Sequence, residues 1–254
     1  MSDNTSTLAA SAAAPPVPVP APGSLVARLA GVIFSPGATF AKLLPKAPWV
    51  GALAVVTLLT AGGQYAFLST EVGQEAMVDQ QIHQAELRNG GNINQQTIDT
   101  FEGLKTKNRY IVAVSILIVG PIMTFVFAGI YFGVFNALLG GDASYKQVLA
   151  IVTHSGAVNI VQTLFVLPLN YVRESASSAT SLGVFVQSFL DETNFVARVL
   201  GMIDLFIVWN LVVSAIGLGV LYRRKTGPIF WSLMGVYVVI VLAIAGVMRA
   251  FGGA

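Results

Sequence analysis

Five long apolar runs, separated by polar or Pro/Gly-rich segments, set the pattern of this chain. The longest, 110–139, holds no charged residue. As one helix it would rise roughly 45 Å, against an apolar bilayer core of about 30 Å. Only a membrane solvates such a helix, so the pattern predicts a transmembrane span, tilted or running past one interface. The other predicted spans are 49–68, 145–169, 199–222 and 229–251. Five spans place the two termini on opposite sides.

The segments between the spans have their own periodicities. Leu25, Val26, Leu29, Val32 and Ile33 recur at helical spacing behind Ser24, and Ser35-Pro36-Gly37 ends that turn. A second short piece, 38–44, sets Phe40, Leu43 and Leu44 against Lys42 and Lys46. Both are too short to span, so they are expected to lie on the membrane surface. The longest polar segment, 69–109, holds six acids and four bases. It predicts an extramembrane helical region over 71–108, interrupted at Asn89-Gly90-Gly91. Ser144 is placed to cap the third span, with Pro168 expected to end it. In the loop 170–197, the apolar positions Leu182, Val184, Phe185, Phe189 and Leu190 predict a short interfacial helix.

Composition adds three constraints. The chain is 55% hydrophobic and 10% charged, with a mean hydropathy of +0.73, unlike an ordinary soluble domain. It lacks cysteine, which removes thiolate metal sites and cysteine nucleophiles from consideration. A net charge of +2 is too small to point to nucleic acid. Residues 1–23 read as a Pro/Ala-rich tail without the basic and apolar regions of a secretory signal. Residues 24–254 form the membrane domain, with the bilayer as its first partner and other membrane proteins or a second copy as further candidates. The fourteen Lys and Arg split evenly between the two sides, and those on the N-terminal side crowd shorter segments. By the positive-inside tendency the N-terminus is expected in the cytoplasm.

Candidate chemistry is confined to polar residues within spans. Ser155, Asn159 and Gln162 recur at i, i+4 and i+7, one face of a continuous third-span helix. The fourth span carries Asp204 and Asn210; an acid inside a span is a functional suspect by default. Counting rise from each end puts Asp204 level with Asn159, so these two are the expected pair, and puts His154 level with Asn210. In the second span Gly129 and Gly133, with Asn136 beyond, are expected to let another helix approach and receive a hydrogen bond. His154 and Ser155 are adjacent and point about 100° apart, which does not suit a nucleophile and its base. Two distant histidines supply no metal site. No catalytic, cofactor or metal residue is assigned, and no cofactor is expected.

Three fragments carry a resemblance: FSPGATFAKLLPKAPW, GGDASYKQVLAIVTHSG and IDLFIVWNLVVSAIGLGVLYRRKTG. In this order the chain resembles the prokaryotic branch of the Yip-domain family of integral membrane proteins, over roughly residues 24–250. Its eukaryotic relatives interact with Rab/Ypt GTPases. The resemblance implies an all-α polytopic fold, five transmembrane helices with short amphipathic surface helices at the N-terminal side, and a cytoplasmic N-terminus in the inner membrane. The Rab-linked role does not carry over to bacteria, and the family offers no catalytic residue to match. Two functions remain as expectations: a non-enzymatic scaffold that binds partners or organises the membrane, or a small transporter or channel using the intramembrane polar stripe.

Overall fold

The computed structural model describes residues 23–89, 91–138, 140–186, 189–190 and 194–251. Of the stretch expected as a tail, 1–23, residues 1–22 lie outside the described residues. Twelve α-helices succeed one another among the described residues, with no strand beyond an isolated bridge between Ser181 and Asp204. Five segments are long and apolar enough to cross a bilayer: Val50–Phe67, Asn108–Asn136, Tyr145–Val172, Leu205–Tyr222 and Thr226–Val247. The fold is all-α and polytopic.

One end of the bundle is built first. Helix α1 (Leu25–Phe34) starts where the Ser24 hydroxyl accepts the Ala27 N–H. Helix α2 (Pro36–Leu43) opens on a proline, whose missing N–H has no intrahelical partner at that position anyway. The pair buries Leu29, Val32, Phe40 and Leu43 against the membrane helices. Span α3 (Val50–Phe67) then crosses to the other end. There α4 (Glu71–Arg88), capped by Thr70, and α5 (Gln95–Leu104), capped by Asn94, pack against each other as a hairpin. Lys105 Nζ lies 3.1 Å from Glu75 Oε1 across it.

Span α6 (Asn108–Phe132) returns through Pro121 without ending, then widens into a π-helical turn, Gly133–Leu138. Ser144 and Gln147 form a reciprocal capping box that starts α7 (Tyr145–Ser155). The third span continues as α8 (Ala157–Val172). Pro168 lies inside α8 rather than ending it. One lost N–H is tolerated in a membrane helix when neighbours supply packing.

The fourth span departs most from expectation. Residues 195–201 form a separate short helix, α10 (Phe195–Gly201), after a single turn, α9 (Gly183–Val186). The span itself, α11 (Leu205–Tyr222), begins only at Asp204, its N-cap. Arg223 closes it in the left-handed region at φ 52°, and α12 (Thr226–Phe251) completes the bundle.

Helix α7 sits at the centre, packed against α6, α11, α3 and α1. Its Val148, Leu149, Ala150 and Ile151 join Phe40, Ala128, Phe135, Leu218 and Leu233 in one core. The close approach of α2 and α7 to α11 requires Gly217: a Cβ there would sit 2.6 Å from Ile151 and 3.0 Å from Phe40.

Candidate functional site: a polar-lined cavity between the spans

The break between α7 and α8 creates the site. Glycine at 156 fits where a side chain would press on the Thr153 carbonyl and on Val56, each 3.1 Å from an added Cβ. At this point the ladder changes step: the Asn159 N–H bonds to the Gly156 carbonyl at 2.9 Å, a one-residue-tighter closure. The Ser155 carbonyl is thereby left for another donor. Asn210 Nδ2 on α11 reaches it at 3.1 Å. An unsatisfied carbonyl in the apolar layer would be costly, so this bond fastens α11 to the break.

Around the break the five spans leave a cavity of about 400 Å³. Most of its wall is apolar, but hydroxyls and amides gather on it: Thr57 and Thr60 from α3, Thr124 from α6, Thr153 and Asn159 from the third span, Asn210 from α11. Tyr237 from α12 also lines it and donates its hydroxyl to the Met202 carbonyl. The Thr60 Oγ1 is buried with no partner. Such a wall holds a small polar molecule or a chain of waters; it presents no carboxylate or cation.

The sequence-predicted residues are only partly brought together. Asn159 and Asn210 share the cavity wall, and Ser155 meets Asn210 through its backbone. Gln162 does not line the cavity. The three-residue stripe assumed one unbroken helix; the tighter step at Gly156 changes the phase of Asn159 and Gln162 together relative to Ser155, and Gln162 lies almost a turn beyond Asn159 along α8. The expected pair of Asn159 and Asp204 does not form. Asp204 Oδ2 accepts the Ser178 hydroxyl at 2.7 Å and the Thr180 hydroxyl at 2.6 Å. Its Oδ1 accepts the Phe206 N–H at 2.8 Å. It is a helix cap at the end of the bundle rather than an acid within a span, because α11 starts later than its apolar run suggests.

Gly129 and Gly133 also differ from expectation. An added Cβ at either would meet nothing within 4 Å among the described residues, so neither glycine is a close-packing contact there. The π-helical turn explains why Asn136 parts from their face, since its wider winding rotates the residues beyond Gly133. Asn136 instead donates to the Ala143 carbonyl and accepts the Tyr222 hydroxyl, both at 2.6 Å, pinning the end of α6 to α11. The close packing falls elsewhere, at Gly217, at Gly141 against Tyr222, and at Gly63 against Thr163.

His154 is fully buried, with Nδ1 2.8 Å from the Ala150 carbonyl one turn back. A carbonyl only accepts, so Nδ1 carries the proton. Among the described residues no three His, Cys, Asp or Glu come close enough to hold a metal ion.

The part of the chain that holds the five spans and the cavity matches a known family. The family model of the Yip1 domain covers residues 30–248. The chain belongs to the Yip1 domain family. No curated protein and no solved structure matches it. In this Yip1 domain the matched region takes in α2, all five spans and the whole cavity wall. The thin polar lining had one sequence signal: Thr57, Thr60 and Thr124 are hydroxyls in otherwise apolar runs. Their convergence depended on which faces turn inward, which periodicity left open.

Proposed function

We propose that this membrane protein is a non-enzymatic, membrane-organising scaffold whose docked helix pair α1–α2 acts as a shallow wedge. One observation carries this reading. The pair is seated on the bundle through Leu29, Val32, Phe40 and Leu43, yet Val26 and Phe34 stand 76% and 87% exposed. With Ala30 between them they form one stripe of α1, and Lys42 on α2 and Lys46 just after it are also exposed. An apolar stripe on a helix pair that also exposes lysines, held at the end of a five-span bundle, enters one leaflet at headgroup depth. A rigid mount matters, because a wedge on a flexible tether relaxes instead of bending lipid. The same face carries Lys146 and Arg223 to Lys225, which favours placing it in the cytoplasm.

The test is reconstitution of the full chain into liposomes. The wild-type chain is expected to narrow vesicles as the protein-to-lipid ratio rises, and the Val26→Ser/Phe34→Ser variant to leave them unchanged while its thermal unfolding stays the same. Equal vesicle sizes with wild-type and variant chains reject the wedge. A cysteine at position 225 that reacts with an impermeant reagent in intact cells, while one at position 95 does not, reverses the orientation.

The cavity favours a second reading, a small carrier or channel. Solute flux in liposomes that falls on Thr60→Leu, which fills the cavity without touching α1, would select that reading over the wedge.

A further inference from the structure

The end of the bundle opposite α1–α2 holds a second, larger cavity, about 770 Å³, between the α4 hairpin helix and the segment that joins the third and fourth spans. Three arginines from separate elements line it: Arg88 at the last turn of α4, Arg173 directly after α8, and Arg198 on α10. Among the described residues that line it none is an acid, while Gln80, Gln84 and Ser177 add neutral hydrogen-bonding groups. Asp204, beside the lining segment, is already occupied by the Ser178 and Thr180 hydroxyls and the Phe206 N–H. Arg198 makes one long contact, from its guanidinium to the Leu87 carbonyl at 3.5 Å, which leaves most of its donors available.

Three like charges converging on one cavity repel one another unless an anion joins them. Guanidinium groups match the oxygens of a phosphate in pairs of N–H donors. The place of the cavity narrows the choice further. Arg173 comes directly after the last residue of a span, Met202 precedes the start of the next, and Val247 belongs to the fifth. The arginines therefore stand at headgroup level, with Met202 and Val247 forming an apolar wall toward the acyl region. We propose that this cavity binds a phosphate-bearing group, and that its resident ligand is the headgroup of an anionic phospholipid. The site lies on the opposite face from the wedge and stands whichever way that experiment falls.

The experiment titrates the full chain in detergent with phosphatidylglycerol, phosphatidylcholine and soluble glycerol phosphate, reading bound ligand by native mass spectrometry. Phosphatidylglycerol is expected to bind at least tenfold more tightly than phosphatidylcholine. An arginine near a membrane surface contributes about fivefold in affinity for anionic lipid, so Arg88→Gln with Arg198→Gln should weaken binding about twentyfold. Changing both to lysine should recover most of it, which separates lost charge from lost folding. Lys105→Gln with Lys107→Gln, bases at the same end outside the cavity, should change nothing. Glycerol phosphate competing as well as phosphatidylglycerol would keep the phosphate site and assign a soluble source; failure to compete assigns the lipid. Equal binding of phosphatidylcholine, or unchanged phosphatidylglycerol binding in the glutamine variant, overturns the proposal. Where the double variant does not fold, Arg173→Gln in the exposed segment gives the same reading with about a fivefold loss.

Discussion

The second and third spans are nearly equal in length and lead opposite lives. An 18-residue stretch of Asn108–Asn136 has a mean hydropathy of 2.6 and only 6% of that stretch is buried within the protein, whereas the corresponding stretch of Tyr145–Val172 averages 1.5 and is 56% buried. In a soluble protein the more apolar helix would be the inner one. Lipid tails are as apolar as leucine, so hydrophobicity places a helix in the bilayer without drawing it to the centre. The third span is drawn inward by its polar content and its break. His154, Thr153 and Ser155 are all buried, and the freed Ser155 carbonyl needs a donor that only a neighbouring helix provides. The second span turns Val114, Ile118, Ile122 and Val126 outward, where lipid satisfies them completely.

This contrast is open to direct attack, most strongly by steric means. Gly217→Ala places a methyl against Ile151 and Phe40 at the centre, and overpacking of that kind costs about 1–3 kcal/mol. Gly129→Ala, on the outer span, meets nothing and should be neutral or slightly stabilising, as helix propensity favours alanine. Reversible unfolding in mixed micelles measures both. Similar losses at the two glycines would mean that α6 is packed as tightly as α7.

Hydrogen bonds come next. Asn210→Leu strands the Ser155 carbonyl and should cost about 0.6 kcal/mol, not more than about 1.7. Thr124→Val on the second span removes a hydroxyl that serves only its own helix, at the Gly120 carbonyl 2.9 Å away, and should cost less. A larger loss at Thr124 than at Asn210 would reverse the assignment of which span holds the bundle together.

Smaller still is the turn between the last two spans. Arg223 holds a left-handed conformation that costs a side chain about 1–2 kcal/mol, while glycine loses more backbone freedom on folding, about 0.5–1 kcal/mol. Arg223→Gly should therefore stabilise slightly. A clear destabilisation would show that the arginine side chain, not the turn, matters there.

The smallest effect lies outside the bilayer. The hydrogen bond from Lys105 to Glu75 raises the lysine pKa above its ordinary 10.5. A raised folded-state pKa contributes stability below the ordinary value and loses it as pH climbs through the raised one. The hairpin should therefore be insensitive to Glu75→Gln in high salt and near-neutral buffer. A difference should emerge at low salt and vanish above the ordinary lysine range. A neutral-pH penalty that persists in high salt would mean that Glu75 has a role beyond the pair.

Legibility tracked length scale. Ser24 and Ser144 are legible as helix starts because a capping hydroxyl acts within three residues. The surface position of α1 and α2 comes from their length alone. Gly156 is not legible as a break, since glycine is common in membrane helices and nothing local distinguishes it. That one step parts Ser155 from Asn159 and Gln162 in the expected stripe. Asp204 misleads for a related reason: the apolar run upstream of it is one residue set shared by two helices, and only the hydroxyls of Ser178 and Thr180 show where the second begins.

The order of amino acids alone settles the number of spans, the membrane as solvent, and the caps and turns that punctuate the chain. Each depends on the transfer of about twenty neighbouring residues out of water, or on groups a few bonds apart. Tertiary packing chose which span is central, which glycines are close contacts, and which polar groups meet at the cavity and the arginine cluster. Those outcomes depend on the rotation of each helix about its own axis. A single break or π-turn resets that rotation for every residue beyond it, so it is set by packing between distant segments.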